Sequence, residues 1–273
     1  MQIINKLTDL RYLEWTRIRH SSGTGGSFLK SMEKSRGHKY YYKLSNFDPA
    51  SGITGHESFN EIIADRLLAA MGIEHLDYTL IHGLVRIKGR DFETHILKSE
   101  DFKKKGESKI ALDAFYDAEG LEGESPMDFC IRYGFADYIY NMLIVDFLIL
   151  NRDRHGANIE ILKNTGNRSL RPAPLFDHGL SMLFNCHSVE EFKAFNPNEE
   201  KKVQCFVGGS NTYDNLKLIP ADRLIKLPEF NEELKGMLLE GIAEIMGETF
   251  TESVWKFLKI RAEKYEDFCN KKR

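Results

Sequence analysis

Apolar residues alternate with polar ones over much of the first hundred positions, then recur at helical spacing to the end, predicting a strand-rich part followed by a mostly helical one. Residues 12–19 mix aromatic and β-branched side chains with charges and run into Ser21-Ser22-Gly23-Thr24-Gly25-Gly26-Ser27, a glycine-rich turn between two strands. Residues 38–44 form the next strand. Its period of two puts Tyr41 and Lys43 on one face and Tyr40, Tyr42 and Leu44 on the other. Residues 58–71 carry Phe59, Ile62, Ile63, Leu67 and Ala70 at helical spacing and stop at Gly72. On another side of that helix Glu57, Glu61 and Asp65 recur every four residues, the pattern of a solvated face. Strands are predicted at 78–87 and 92–97, then an exposed connection at 103–107.

Residues 128–150 read as one helix, apolar all round in its last turns and therefore buried. Short apolar runs at 159–162 and 174–176 flank Asn164-Thr165-Gly166-Asn167, a hairpin that would bring Asn158 and Asp177 together. Residues 185–213 read as a long loop and 231–246 and 251–270 as two closing helices. There is no internal repeat. The expected architecture is α+β and bilobal: a strand-rich N-lobe over 1–100 with one main helix, and a mostly helical C-lobe over 101–273, the boundary falling within 98–106.

Composition narrows the function classes. With 42% hydrophobic and 29% charged residues the chain is neither disordered nor collagen-like. A net charge of -3 argues against nucleic acid as the main ligand. Four scattered cysteines give neither a zinc ribbon nor a dense disulfide framework. The start, Met1-Gln2-Ile3-Ile4-Asn5-Lys6, has no apolar run of signal-peptide length, so a reducing cytoplasm is expected. The longest apolar stretch, 142–150, is interrupted by Asp146 and falls far short of the roughly 20 residues a bilayer requires. No membrane association is expected.

The candidate chemistry is concentrated in Asn151-Arg152-Asp153-Arg154-His155-Gly156-Ala157-Asn158 and, further on, Asp177-His178-Gly179. Phosphoryl transfer needs a cation on the phosphates, metal ligands bridging them and a carboxylate to orient the attacking hydroxyl. Asp153 is the candidate base, Asn158 and Asp177 the magnesium ligands, Lys43 the phosphate-pairing lysine and Glu61 its anchor, with Glu57 a rival for that last role. Protein kinases place base and amide five apart in His-Arg-Asp-x-x-x-x-Asn. Here Asn151 holds the place of that histidine, and His155 follows the acid. His155 either braces the loop or meets the transferred phosphate, and His178 reads as structural. Asp146, set among Leu143, Ile144, Val145, Phe147 and Leu148, must be hydrogen-bonded if buried, to the loop backbone or to Arg154.

These motifs, with Ser22-Gly23-Thr24-Gly25-Gly26-Ser27-Phe28-Leu29-Lys30, resemble those of the HipA-like serine/threonine kinases over residues 12–220. The resemblance implies a two-lobed kinase fold, ATP and Mg2+ as cofactors, and phosphorylation of a protein serine or threonine, often within a toxin–antitoxin system. It makes Asp153 the catalytic aspartate, Asn158 and Asp177 metal ligands and Lys43 the ATP lysine, with Gly23, Thr24, Gly25, Gly26 and Ser27 in the ATP-binding loop. It also implies control by autophosphorylation, for which Ser21, Ser22, Thr24 and Ser27 are acceptors; phosphate there adds up to about two negative charges to an acidic cleft. Longer members carry a further N-terminal subdomain, so a small separate partner is expected to supply that part; an antitoxin is the other partner the resemblance implies. The rival readings are a lipid or small-alcohol kinase, whose loops also carry Asp-Arg-His-x-x-Asn, and a nucleotide-binding pseudokinase that grips a partner.

Overall fold

The computed structural model describes residues 2–18 and 25–272. The strands β1 (Ile3–Asp9), β2 (Thr16–Ile18), β3 (Gly25–Ser35) and β4 (His38–Lys43) are followed by a two-residue pair, β5 (Phe47–Asp48) and β6 (Gly52–Ile53), and by helix α1 (Glu57–Ala70). Strands β7 (Tyr78–Ile87) and β8 (Arg90–Glu100) complete a six-stranded sheet in the order β1-β7-β8-β4-β3-β2, antiparallel except between β1 and β7. Lys43 stands opposite Lys30 on one side and Leu97 on the other, so it sits on a central strand. Gly25, Gly26 and Ser27, read from sequence as turn, are backbone of β3. Ser21, Ser22, Gly23 and Thr24 lie outside the described residues.

Helix α1 is the one large departure from amphipathic expectation. Every residue from Glu57 to Leu68 is buried, so the acidic stripe of Glu57, Glu61 and Asp65 is not a solvated face. The helix is covered twice: Ile62, Ile63, Leu67 and Leu68 join the main core with β7 and β8, while Arg66 donates to the carbonyls of Leu238 and Glu240 at 2.9 Å each. A smaller core, built on Leu10, Leu29, Tyr42, Leu44 and Val85, includes the Tyr42 and Leu44 face of β4.

After residues 101–106 come β9 (Glu107–Ala111), α2 (Leu112–Glu119), α3 (Pro126–Arg132) and α4 (Ala136–Ile149). The single helix expected at 128–150 is thus two. Ser125 caps α3 by accepting from the Asp128 N–H, and Gly134, at φ 78°, ends the helix by taking the left-handed backbone that favours glycine. Strand β10 (Asp153–Arg154) precedes the hairpin β11 (Glu160–Asn164) and β12 (Ser169–Pro172). Ile161 pairs with Pro172, so the hairpin closes earlier than the expected 174–176; Leu175 instead bridges to His75. Strand β9 lies on the other edge of β11, making strand of residues the sequence read partly as exposed connection.

The expected loop at 185–213 contains α5 (Val189–Ala194), started by a Ser188/Glu191 capping box, and β13 (Gln204–Cys205), which pairs parallel with β10. Helices α6 (Thr212–Leu216), α7 (Glu232–Leu239), α8 (Ala243–Met246) and α9 (Glu248–Lys272) follow, with Gly241 (φ 71°) and Gly247 (φ 83°) dividing the last three. Central α4 is buried from Met142 through Ile149. Arg261 of α9, fully buried, donates to the Phe147 carbonyl, Glu200 and Thr212, so its desolvated guanidinium is hydrogen-bonded. Among the described residues no helix is long and apolar enough to cross a membrane.

Because α4 is buried on every side from Met142 through Ile149, Leu148→Ala is expected to cost about 2–5 kcal/mol. Leu218→Ala, at a 45% exposed position, should stay within about 0.5 kcal/mol of wild type. Urea unfolding midpoints at unchanged slope check both values.

Candidate active site

Strand β4, helix α1 and the segment after β12 meet at one cation. Lys43 Nζ lies 2.9 Å from Glu61 Oε1 and also donates to the Asp177 carboxylate. Glu61 is fully buried, and its second oxygen accepts from the His178 N–H at 2.8 Å. One carboxylate thus holds both the lysine and the chain beside Asp177. Asn60 adds two bonds from its side-chain N–H group to the Gly179 and Ser181 carbonyls, 3.0 Å each. Gly179 packs so closely on α1 that a β-carbon would come within 3.0 Å of the Glu57 β-carbon. Asp177 has φ 62°, a left-handed conformation that aspartate tolerates better than most residues. Its N–H meets the Tyr78 hydroxyl at 3.5 Å. Glu57 is not the lysine's partner: its carboxylate accepts from the Asn46 N–H.

The loop carrying Asp153 is organised by a buried ion pair. Leu150 ends α4 in the left-handed region, at φ 52°. Asp146, one turn back, receives the Arg154 guanidinium through both oxygens and the Asn151 amide at 2.9 Å. Arg154 also donates to the carbonyls of Asn158 (3.2 Å) and Phe176 (2.8 Å), joining the end of this loop to the residue before Asp177. The Asn158 amide nitrogen donates to the Asp153 carbonyl at 2.8 Å, and His155 Nε2 lies 3.7 Å from Asp153 Oδ2.

Lys43, Asn158 and Asp177 line a common cleft with Tyr41, Leu97 and Phe102; Asp153 and His155 adjoin it through the loop rather than line it. Lys109 stands at its edge, 3.8 Å from the Phe102 ring centre and 3.5 Å from Glu160. Sequence reading missed Asn60, Tyr78 and Lys109. Tyr78 and Lys109 fall in segments whose pattern says only strand or loop, and Asn60 is one polar residue among others on α1.

Burial pushes the Lys43 ammonium down, but Asp177 and Glu61 outweigh it and raise its pKa, so the lysine is charged. Burial acts the same way on Arg154, where Asp146 reverses it. His178 is pushed well below its usual range, first by burial and then by the Arg154 charge, and is neutral. Burial raises Tyr78 far above the phenol range, with the charges of Glu61 and Asp177 adding to it.

No protein-family model matches the chain, and no curated protein matches it in sequence. Solved structures do match in shape. The fold is α+β and kinase-like, with a strand-rich sheet, one main helix packed on it and a mostly helical remainder. It is similar to the crystal structure of the Helicobacter pylori proinflammatory kinase CtkA, with a TM-score of 0.68 at 17% identity over 96% of this chain and 95% of that one. The HipA toxin of Shewanella oneidensis MR-1, solved with HipB and its operator DNA, gives a TM-score of 0.47 at 14% identity over 92% of this chain and 61% of that one.

Removing one member of the buried Asp146–Arg154 pair leaves an uncompensated charge, so Asp146→Ala should lose about 3–5 kcal/mol. The double change Asp146→Leu with Arg154→Met should lose less than Asp146→Ala alone, as measured by urea unfolding. His56, which precedes α1, supplies a pH test. Burial first, and then His187, lowers its pKa from 6.5 to about 4. A histidine kept neutral only in the fold makes stability rise with pH between those values; the contribution is complete above 6.5 and lost as pH falls toward 4. His56→Gln should therefore flatten the stability difference between about pH 5 and about pH 7.5.

Proposed function

We propose that this chain is an ATP- and magnesium-dependent protein kinase that transfers the γ-phosphate to a serine or threonine hydroxyl. The observation that carries this reading is the double hold on Lys43, by a buried helix glutamate and by Asp177, in a cleft that Asn158 also lines. Kinases keep a phosphate-pairing lysine in place with a helix glutamate and hold metal with an aspartate and an amide. Asp177 and Asn158 supply hard oxygen donors, the type magnesium takes, and a cation that binds few protein carboxylates needs no more from the chain. When bound, magnesium neutralises charge on the phosphate oxygens.

The chain's own residues are assigned as follows. Lys43, kept charged by its two carboxylates, pairs with phosphate. Tyr41, Leu97 and Phe102 give the cleft an apolar and aromatic wall suited to a nucleotide base. Asp153 orients the acceptor hydroxyl and takes its proton, and the bond from Asn158 to the Asp153 carbonyl ties base to metal ligand. His155, 3.7 Å from the Asp153 carboxylate, is assigned to hold that side chain. The lobe boundary is assigned to residues 101–106, between β8 and β9. The glycine-rich loop's hold on ATP, its control through Ser21, Ser22, Thr24 or Ser27, and an antitoxin or subdomain-like partner rest on the motif resemblance alone.

Transfer of labelled γ-phosphate from ATP to the protein itself or to a serine-rich substrate should require magnesium. It should fall by at least about 100-fold in Asp153→Asn. Asp177→Ala should abolish it, whereas Glu61→Gln should chiefly raise the KM for ATP. Full magnesium-dependent transfer by Asp177→Ala would refute the assignment. Nucleotide binding without transfer in wild type and variant alike would make the chain a pseudokinase.

A further inference from the structure

One helical turn beyond Glu61, Asp65 enters a second polar cluster that the proposed kinase chemistry does not use. Its side chain is 1% exposed. Oδ2 accepts from the Gln2 amide, and Arg66 fixes that amide by donating to its oxygen at 3.0 Å. No hydrogen bond of ordinary length and angle reaches Oδ1, although the Tyr78 backbone N–H lies near the carboxylate. A buried carboxylate oxygen so weakly answered is costly, and this one points at a ring nitrogen: His75 Nε2 is 3.4 Å away. Asp77 Oδ1 lies 3.8 Å from the same nitrogen, on a side chain 95% exposed. The other ring nitrogen, His75 Nδ1, is 2.6 Å from the Ile73 carbonyl. A carbonyl only accepts, so Nδ1 carries a proton, and in the neutral ring the Nε2 lone pair faces two carboxylates.

A cation placed among these three atoms would answer both carboxylates and the ring nitrogen together. Bonds of about 2.0–2.2 Å at tetrahedral angles place neighbouring ligand atoms about 3.3–3.6 Å apart. The observed 3.4 and 3.8 Å come near this spacing, and all three ligand atoms lie within 4.8 Å of one another. A histidine whose far nitrogen donates to a backbone carbonyl, beside a carboxylate steadied by a neighbouring amide, is the outer support that metal ligands commonly have. Exposed Asp77 leaves a path from solvent and room for water as a fourth ligand. Imidazole with carboxylate favours zinc-type metals over magnesium or calcium.

We propose that Asp65, His75 and Asp77 form a site for a divalent transition metal of the zinc type, separate from the Lys43 cleft. The site would tie α1 to the chain leading to Asp177. The loop holding His75 is bonded to that chain through Leu76 N–H to Leu175 carbonyl (2.9 Å) and Leu175 N–H to Glu74 carbonyl (3.1 Å), two residues before Asp177. The inference does not depend on the kinase reading.

The test uses the full chain stripped with chelator and titrated with Zn2+, without ATP or magnesium, by calorimetry and by thermal melting. Wild type should bind a single equivalent and melt higher with it. Asp77→Asn, an exposed change that leaves the core alone, and His75→Ala should each weaken binding by at least about 10-fold. Asp177→Ala should leave zinc affinity unchanged. No saturable binding by folded wild type overturns the proposal and makes His75 a protonated bridge between two carboxylates. Binding that survives Asp77→Asn and His75→Ala but is lost in Asp177→Ala also overturns it, placing the metal in the cleft.

Discussion

Everything around the cleft depends on where the Glu61 carboxylate is buried. A fully buried acid is tolerated only when its charge and lone pairs are answered. Glu61 is answered on two sides, by the Lys43 ammonium from the sheet and by the His178 N–H from the chain after β12. The requirement for compensation therefore assembles the site: sheet, helix and the Asp177 segment are each needed to satisfy one side chain. Asp146 does the same work for the other half, gathering Asn151 and Arg154, and through Arg154 the carbonyls of Asn158 and Phe176. Two buried acids, each on a central helix, hold two loops in register.

The burial of α1 explains why its polar residues matter more than its apolar ones. Covered by β7 and β8 and bonded to the end of α7, the helix is buried on every side from Glu57 to Leu68. Polar residues there have to find protein partners: Ser58 with Ser45, Asn60 with two carbonyls, Glu57 with a backbone N–H. Directional bonds inside a dry interface fix position more tightly than apolar contact does.

That burial is also where sequence reasoning stopped. The helix itself and the side of β4 on which Lys43 lies were legible, because period 3.6 and period 2 are local properties. Whether the acidic stripe of α1 meets water depends on what packs over it, and nothing local to residues 57–70 records that. The need of Asp146 for a partner was legible from its apolar neighbours, and Arg154 is that partner. The break at Gly134 was legible in principle, since a glycine after Tyr133 is a stop signal; continuous hydrophobicity on both sides masked it. Strand β9, five residues with only Ile110 and Ala111 apolar, gains its identity from pairing with β11. The hairpin offset has the same origin, because Leu175 is claimed by the distant His75.

The two loops are also bonded to each other. The Arg152 N–H donates to the Leu180 carbonyl and the Met182 N–H to the Ile149 carbonyl. Leu150 and Met182, next to those bonds, both adopt left-handed backbone, and Gly179 has little room for a side chain against α1. Turning Asp177 outward would therefore unlatch the Asp153 loop at the same time. The inner wall of this cleft is thus one hydrogen-bonded unit, in which the positions of Asp153 and Asp177 are set together.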